Sequence, residues 1–459
     1  MSNKNEGSAV NIQKEMESFL NISNLDELFK DVPETLKLKR QLKLLGPMYE
    51  RDLSIYIDKV LSMNQPVTTF LGGGAQNHYI PALVQEVITK PELLNSYTPY
   101  QPEISQGMLQ GLFEYQSMIN ELTGMDVTNA SMYDWATAIG EALLMAVRLK
   151  NKQKVLIIGS IHPDRFAVVQ NYLAGPKINL DMIQFDSKTG EIDLADLKEK
   201  LTPDIAAFYF ENPNSFGVIE SQVEKISKFV HDAGALVIIG VDPISLGILR
   251  PPADYGADIV VGEGQGLGSP INFGGPHFGF FSIKYDPKTI RQMPGRLVGL
   301  TKTKDGKQRA FVLTLSTREQ HIRREKATSN ICSNEALLAF GAGVYLSTIG
   351  PEGLQKTAEY CLSAAHYLAT KINELTNFEA PIFSGAFYNE FVIRVKKGTM
   401  AQIETKLIEH GLVGGYTLEK CHPELGEAAI YCVTEMHTMD DLNKLISVLK
   451  EIDKSLGGK

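Results

Sequence analysis

The residues most able to do chemistry gather in and around one stretch, ADIVVGEGQGLGSPINFGGPHFGFF, residues 257–281. A buried strand, a run of glycines and a second apolar strand give it the shape of a cofactor loop. Such a loop becomes reactive through a nucleophilic side chain, most often an amine. Yet the chain has no lysine between Lys228 and Lys284. Ahead of the loop, Asp242 ends the apolar run ALVIIGV. An acid at the carboxyl end of a strand can face the ring nitrogen of a bound cofactor, or it can cap the turn before Pro243, and both readings stay open. His277 is the one histidine of nine set in a glycine-rich loop, GGPHFG. Arg318, Arg323, Arg324 and Lys326 crowd the segment LSTREQHIRREKATSNICS. Their ordinary fate is a solvated charged face; the sharper reading is contact with a phosphate or a partner chain. The helix opening near SMYDWATA could hold an anion, but Ser131 or Asp134 as a plain N-cap is the better reading of these residues alone.

These residues need a scaffold, and the pattern supplies one. Apolar runs KVLIIG, MIQFD, AAFYFE, ALVIIGV, DIVVGE and HFGFFSI occur in order, with helix-compatible segments between the first four. Alternation of that kind predicts a mostly parallel α/β sheet covered on both faces. Ligands of such sheets sit where the strands' carboxyl ends meet the loops. That places ENPNSFGVIE, VDPISLG and the glycine-rich stretch at one end. The helix ISQGMLQGLFEYQSMINELTG puts Leu109, Leu112, Phe113 and Ile119 on one face and stops at Gly124. The expected organisation is a polar helical arm over 1–60, a large α/β domain over 61–325 and a smaller α+β domain over 326–459. In the arm, Asn24 caps a short helix that Pro33 stops, and the arm packs on the body or on a partner.

Several classes are excluded by what is missing. GEGQGLG contains no G-x-G-x-x-G and leads into a strand, so it is not a dinucleotide fingerprint, and there is no P-loop. Four scattered cysteines and no H-x-x-x-H give no metal site or disulfide framework. The net charge of -9 argues against a nucleic-acid binder. No apolar run spans a membrane and the N-terminus has no signal-peptide core, so a cytoplasmic protein is expected. With 459 residues and 43% hydrophobic content, the chain can bury a large core.

Taken together, LGGGAQNHYIPALV, YTPYQPEISQGMLQGLFEYQSMINELTGMDVTNASMYD, ENPNSFGVIE, GGPHFGFF and QHIRREKATSNICS resemble the P-protein family of the glycine cleavage system, glycine dehydrogenase (decarboxylating). The resemblance runs from about residue 10 to the end and keeps the motif order. It implies an aspartate-aminotransferase-like fold, fold type I of the pyridoxal phosphate enzymes. It is to the N-terminal half of the long form, which in split systems is the alpha chain or subunit 1.

The family's catalytic half carries its cofactor lysine ahead of a glycine run ending in Gly-Gly-Pro. The same spacing from Pro276 reaches Gln265, whose amide nitrogen is not a nucleophile. The resemblance therefore implies a lysine-less loop and a vestigial cofactor pocket around Asp242, Gly274, Gly275 and His277. Trp135 stands where the family commonly has a glycine, and its indole either fills the space of a phosphate or is plain core. Pyridoxal phosphate is expected on a partner, subunit 2. With that partner, glycine would lose its carboxyl carbon as CO2, and the aminomethyl group would pass to the lipoyl arm of H-protein. Tyr97, Thr98, Pro99, Tyr100 and Gln101 would form part of the active-site wall or interface. Two rivals remain open: a self-sufficient enzyme using Lys284, Lys302 or Lys304, and a non-catalytic docking scaffold.

Overall fold

A computed structural model describes residues 5–94 and 98–457, with side chains from residue 12 onward. The chain divides into two compact units, Met1–Gln65 and Pro66–Lys459.

The first unit holds helices Asn5–Phe19 and Glu50–Leu61 and a 3-10 turn, Leu25–Phe29. Asn24 caps that turn, its side chain accepting from Asp26 N at 2.9 Å. No described side chain of this unit is buried, and Phe19, Leu36, Leu44 and Tyr49 are largely exposed.

The second unit is built on a seven-stranded sheet. Its strands are β1 Val127–Thr128, β2 Lys154–Ile158, β3 Asn179–Ile183, β4 Ile205–Glu211, β5 Leu236–Val241, β6 Ile259–Glu263 and β7 Gly279–Ile283. Their order is β1-β7-β6-β5-β4-β2-β3. β3, β2, β4, β5 and β6 pair in parallel, while β7 runs antiparallel to both β6 and β1. All six apolar runs are strands, and the reversal at β7 goes with a return through residues 264–278 that holds no helix. A parallel return would need a crossover of a dozen or more residues, usually a helix.

Successive residues of each strand enter opposite cores, as the two-residue period requires. Leu156, Phe208, Phe210, Val237, Ile239 and Val260 join one core. Val155, Ile157, Tyr209, Ile238, Ile259 and Val261 join the other. Helix Gln106–Thr123 covers the first face, with Leu109, Leu112 and Ile119 buried and Gly124 closing it in the left-handed conformation. Helices Trp135–Lys150 and Pro163–Ala174 cover the second. Each fully buried large apolar side chain contributes about 1.5–3 kcal/mol, and all seven residues of β4 are buried.

Beyond β7 comes an antiparallel hairpin, Leu297–Lys302 with Arg309–Thr314, which the strand pattern did not reveal. The helical stretch Ala336–Asn373 is two helices joined at Gly350, whose φ of 62° and ψ of 179° break the geometry before Pro351. Its first part, through Cys361, packs in the large core, and Ala364–Ile372 packs in a third core. That third core backs an antiparallel sheet of Phe378–Glu379, Glu390–Val395, Ala428–Cys432 and Tyr416–Thr417, in that order. It also takes in Phe70, because Thr68–Thr69 pairs with Leu412–Val413. Among the described residues, no helix is long and apolar enough to cross a membrane.

Candidate functional site

Three adjacent strands end in an acid at the same end of the sheet: Glu211 closes β4, Asp242 follows β5 and Glu263 closes β6. Asp242 and Glu263, with Arg165 and residues from 74–78 and 388–390, line a small cavity of about 40 Å³, and Glu211 lies behind Arg165. A water needs about 10–15 Å³ of such space and a small-molecule site about 300–1,000 Å³. The cavity has room for water and little else.

Buried side chains, only partly satisfied by one another, fill the rest. Arg165 donates to Glu211 at 2.9 Å, and the Tyr209 hydroxyl donates to the other carboxylate oxygen at 2.9 Å. The same guanidinium lies over the Trp135 ring, 4.1 Å from its centroid. Trp135 in turn needs Gly240 beneath it, since a Cβ there would meet the indole at 2.8 Å. Glu390 accepts from Gly73 N at 2.7 Å. Glu435 accepts from His78 Nδ1 at 2.9 Å, from Tyr79 N at 2.7 Å and from the Cys361 thiol at 3.3 Å.

Burial sets the charges. It pushes Glu263 up to about 8 and Glu390 up to about 7. It also raises Glu211 and Asp242, against the pull of Arg165 and His78 respectively. Burial and the neighbouring Arg165 push His162 down to about 4. His78 is held above its ordinary value: burial opposes the charged ring, but the Glu435 contact outweighs it. At neutral pH Glu263 is largely protonated and Glu390 is near its midpoint, beside the guanidinium that pairs with Glu211.

Gln265 is 2% exposed and lies in the wall. Its amide donates to Ser269 O at 2.7 Å and accepts from Gln76 N at 3.1 Å, tying the glycine loop to residues 74–78. No lysine lines the cavity, and Lys284, Lys302 and Lys304 are exposed on or beyond the strands. Asp242 caps the turn, as one of its two readings had it. One oxygen accepts from Ile244 N at 3.0 Å and caps the turn, while the other is buried without a hydrogen-bond partner at the cavity. Gly274, Gly275 and His277 do not line this cavity. Gly274 is exposed, and Phe273 beside it is fully exposed. His277 is partly buried near Asp134, and burial lowers its pKa.

Pyridoxal phosphate fits these residues poorly. Residue 265, where the resemblance implies the cofactor lysine, is a glutamine. The helix opening at Trp135 already has its acids: Asp134 accepts from Thr137 N at 2.7 Å in a capping box, and Glu263 accepts from Trp135 N at 3.2 Å. Carboxyl oxygens there take the amides a phosphate would use. Only Asp242, with its free buried oxygen, keeps the arrangement of a cofactor site.

A second group of polar residues lies around Tyr100. Arg296 donates to its hydroxyl at 2.8 Å, and its guanidinium sits 5.3 Å from the ring centroid. His321 packs edge-on at 5.8 Å. Glu319 stands 3.7 Å from Arg296 and 3.6 Å from His321. Tyr100 and Gln101 are exposed, Thr98 is partly buried and Pro99 is buried; Tyr97 lies outside the described residues. Sequence reasoning named Tyr100 but missed Arg296 and Glu319, and it missed Arg165, Glu211, Glu263 and Glu390 in and behind the cavity. A signal for two of these was present: AAFYFE and DIVVGE end in acids as ALVIIGV ends in Asp242.

The chain matches the model of the glycine cleavage system P-protein family over residues 5–449. It is 45% identical over 456 residues to the probable glycine dehydrogenase (decarboxylating) subunit 1 of Staphylothermus marinus, covering 97% of each chain. A solved structure of glycine decarboxylase (P-protein) of the glycine cleavage system, in inhibitor-bound form, superposes with a TM-score of 0.83 at 38% identity, over 96% of this chain and 97% of that one. The sphingosine-1-phosphate lyase of Burkholderia pseudomallei shares the fold alone, with a TM-score of 0.66 at 12% identity over 92% and 94% of the two chains. The architecture is therefore fold type I of the pyridoxal phosphate enzymes. By sequence along nearly its whole length and by fold, this chain belongs to the glycine cleavage system P-protein family.

Proposed function

We propose that this chain is the lysine-less subunit of a heteromeric, cytoplasmic glycine decarboxylase, working with a companion, subunit 2, that holds the pyridoxal phosphate. One observation carries the reading: the position of the cofactor lysine is Gln265, hydrogen-bonded on both sides in a cavity of about 40 Å³. A subunit of this family that cannot hold the cofactor must act beside one that can. The relatives carry the words "subunit 1" in their names, which supports a division of labour.

The chain then contributes positioning groups. Tyr100, fixed by Arg296 and backed by Glu319 and His321, presents an exposed aromatic hydroxyl with a cation behind it. That arrangement suits the wall of a site completed by the companion, where it would orient a carboxylate such as that of glycine. Thr98, Pro99 and Gln101 flank it; Gly274, Gly275 and His277 belong to a separate loop that can serve contact with the companion. The arm Met1–Gln65, with no buried side chain among those described, needs an apolar surface supplied from outside itself. Transfer of the aminomethyl group to the lipoyl arm of H-protein completes the reaction.

Visible absorbance with added pyridoxal phosphate tests this directly. The purified chain alone should give no band of lysine-bound cofactor. Mixed with the companion, it should give the band together with exchange between CO2 and the glycine carboxyl. A stable band from this chain alone overturns the proposal.

A further inference from the structure

A cavity of about 630 Å³ opens elsewhere in the second unit, where the loop after the hairpin meets the C-terminal end of helix Trp135–Lys150. Five cations line it: Arg148, Arg291, Arg318, Arg323 and Lys326. No carboxylate does, and among the described residues none of the five has a salt bridge within 4 Å. The acids nearest in sequence and space are otherwise engaged. Glu319 turns to Arg296 and His321. Glu141, buried in helix Trp135–Lys150, has a carboxyl whose pKa burial raises and Arg148 lowers. Glu325 is exposed.

Arg318 is the telling member. It is 9% exposed, and its one hydrogen bond runs from a terminal nitrogen to Gly295 O at 2.9 Å. Its Nε is buried with no hydrogen-bond partner. A guanidinium offers five donors and is costly to bury with only one used. Burial lowers its pKa only to about 10, so it stays charged at neutral pH. The loop that carries it is strained: Leu315 has a φ of 56°, and Arg324 has a φ of 52° with a ψ of -122°. Strain of this sort in residues other than glycine gathers at ligand sites and switches.

We propose that this basin binds a small, multiply charged anion of the phosphate class. The chemistry is complementary, since guanidinium forks match phosphate oxygens in pairs. Thr317 and Thr328 add hydroxyl donors in the wall. The volume lies within the range of small-molecule sites. The chain's net charge of -9 repels long polyanions, so a compact ligand fits better than a polymer. This inference stands independently of the lysine-less role proposed above.

Calorimetric titration of the full chain with inorganic pyrophosphate, at an ionic strength held constant with chloride, tests it. Saturable one-site binding is expected. The double variant Arg323→Gln/Lys326→Gln, whose side chains are exposed, should weaken it at least about tenfold, and Arg318→Ala should weaken it further. Arg250→Gln, which breaks a surface pair with Glu224, should leave it unchanged. Absence of saturable heat, or equal affinity in the wild type and the Arg323/Lys326 variant, overturns the proposal. Weakening by Arg250→Gln equal to that of the double variant would mean a diffuse charge effect and overturns it as well.

Discussion

The cavity at the strand ends and the basin behind the hairpin are opposites. The first holds about 40 Å³, is walled by buried acids and spends its only guanidinium on Glu211. The second holds about 630 Å³ and is walled by five cations, none of which has a salt bridge within 4 Å among the described residues. In a parallel sheet the strand ends are the customary ligand site. Here Trp135, Arg165 and Gln265 leave only a small cavity at that place, and the larger, cation-lined cavity lies in a loop the sheet does not dictate. Whether a site survives is decided by volume and by unsatisfied charge.

Removing the guanidinium from the closed cavity should have the largest effect. Arg165→Leu leaves Glu211 buried without its cation, and breaking such a pair costs about 3–5 kcal/mol. Denaturant unfolding should show that loss; a change below about 1 kcal/mol would mean the cavity is wetter and looser than described.

Gln265→Lys sharpens the same contrast. Losing the bonds to Gln76 and Ser269 leaves buried groups unpaired, at about 1–3 kcal/mol each. The variant should still give no visible cofactor band, because the helix opening remains taken by Glu263 and Asp134. A band from this single substitution would show that the amine alone was missing.

The acids predict a pH dependence. Glu263 and Glu390 have folded values of about 8 and about 7 against an ordinary 4.5. The folded state therefore binds more protons than the unfolded one between these values. The stability they contribute is full below about 4.5 and is lost as pH rises through about 7 and then about 8. His78, also raised, adds a loss in the same direction above its ordinary 6.5. The slope approaches about 1.4 kcal/mol per pH unit for each group. Unfolding midpoints at pH 6 and pH 9 should differ accordingly, and Glu263→Gln should flatten the difference; an unchanged slope would remove Glu263 as a cause.

The smallest effect on folding belongs to Tyr100→Phe. Loss of a partly exposed hydrogen bond to Arg296 costs about 1 kcal/mol or less. In the assembled two-subunit enzyme the same change should lower glycine-dependent turnover by about tenfold. Unchanged turnover would take Tyr100 out of the active-site wall and leave it as interface packing.

Much of this was legible beforehand. Six of the seven strands of the large sheet and the helix ended by Gly124 follow from local patterns. Hydrophobic period and turn residues act over a few positions, and a motif order is itself linear. The hairpin over 297–314 escaped because its strands are short and half exposed, without the apolar run that marks a buried strand. Arg165, Glu390 and His78 escaped for another reason: they come from a helix, a strand of the smaller sheet and a loop, and only packing brings them to one cavity.

The sequence by itself determined the fold class, because it depends on residue type and local periodicity. Only the tertiary structure decided that the cavity at the strand ends is small and that five cations share an open basin. Volume and charge balance belong to groups far apart in the chain, and no stretch of sequence carries them.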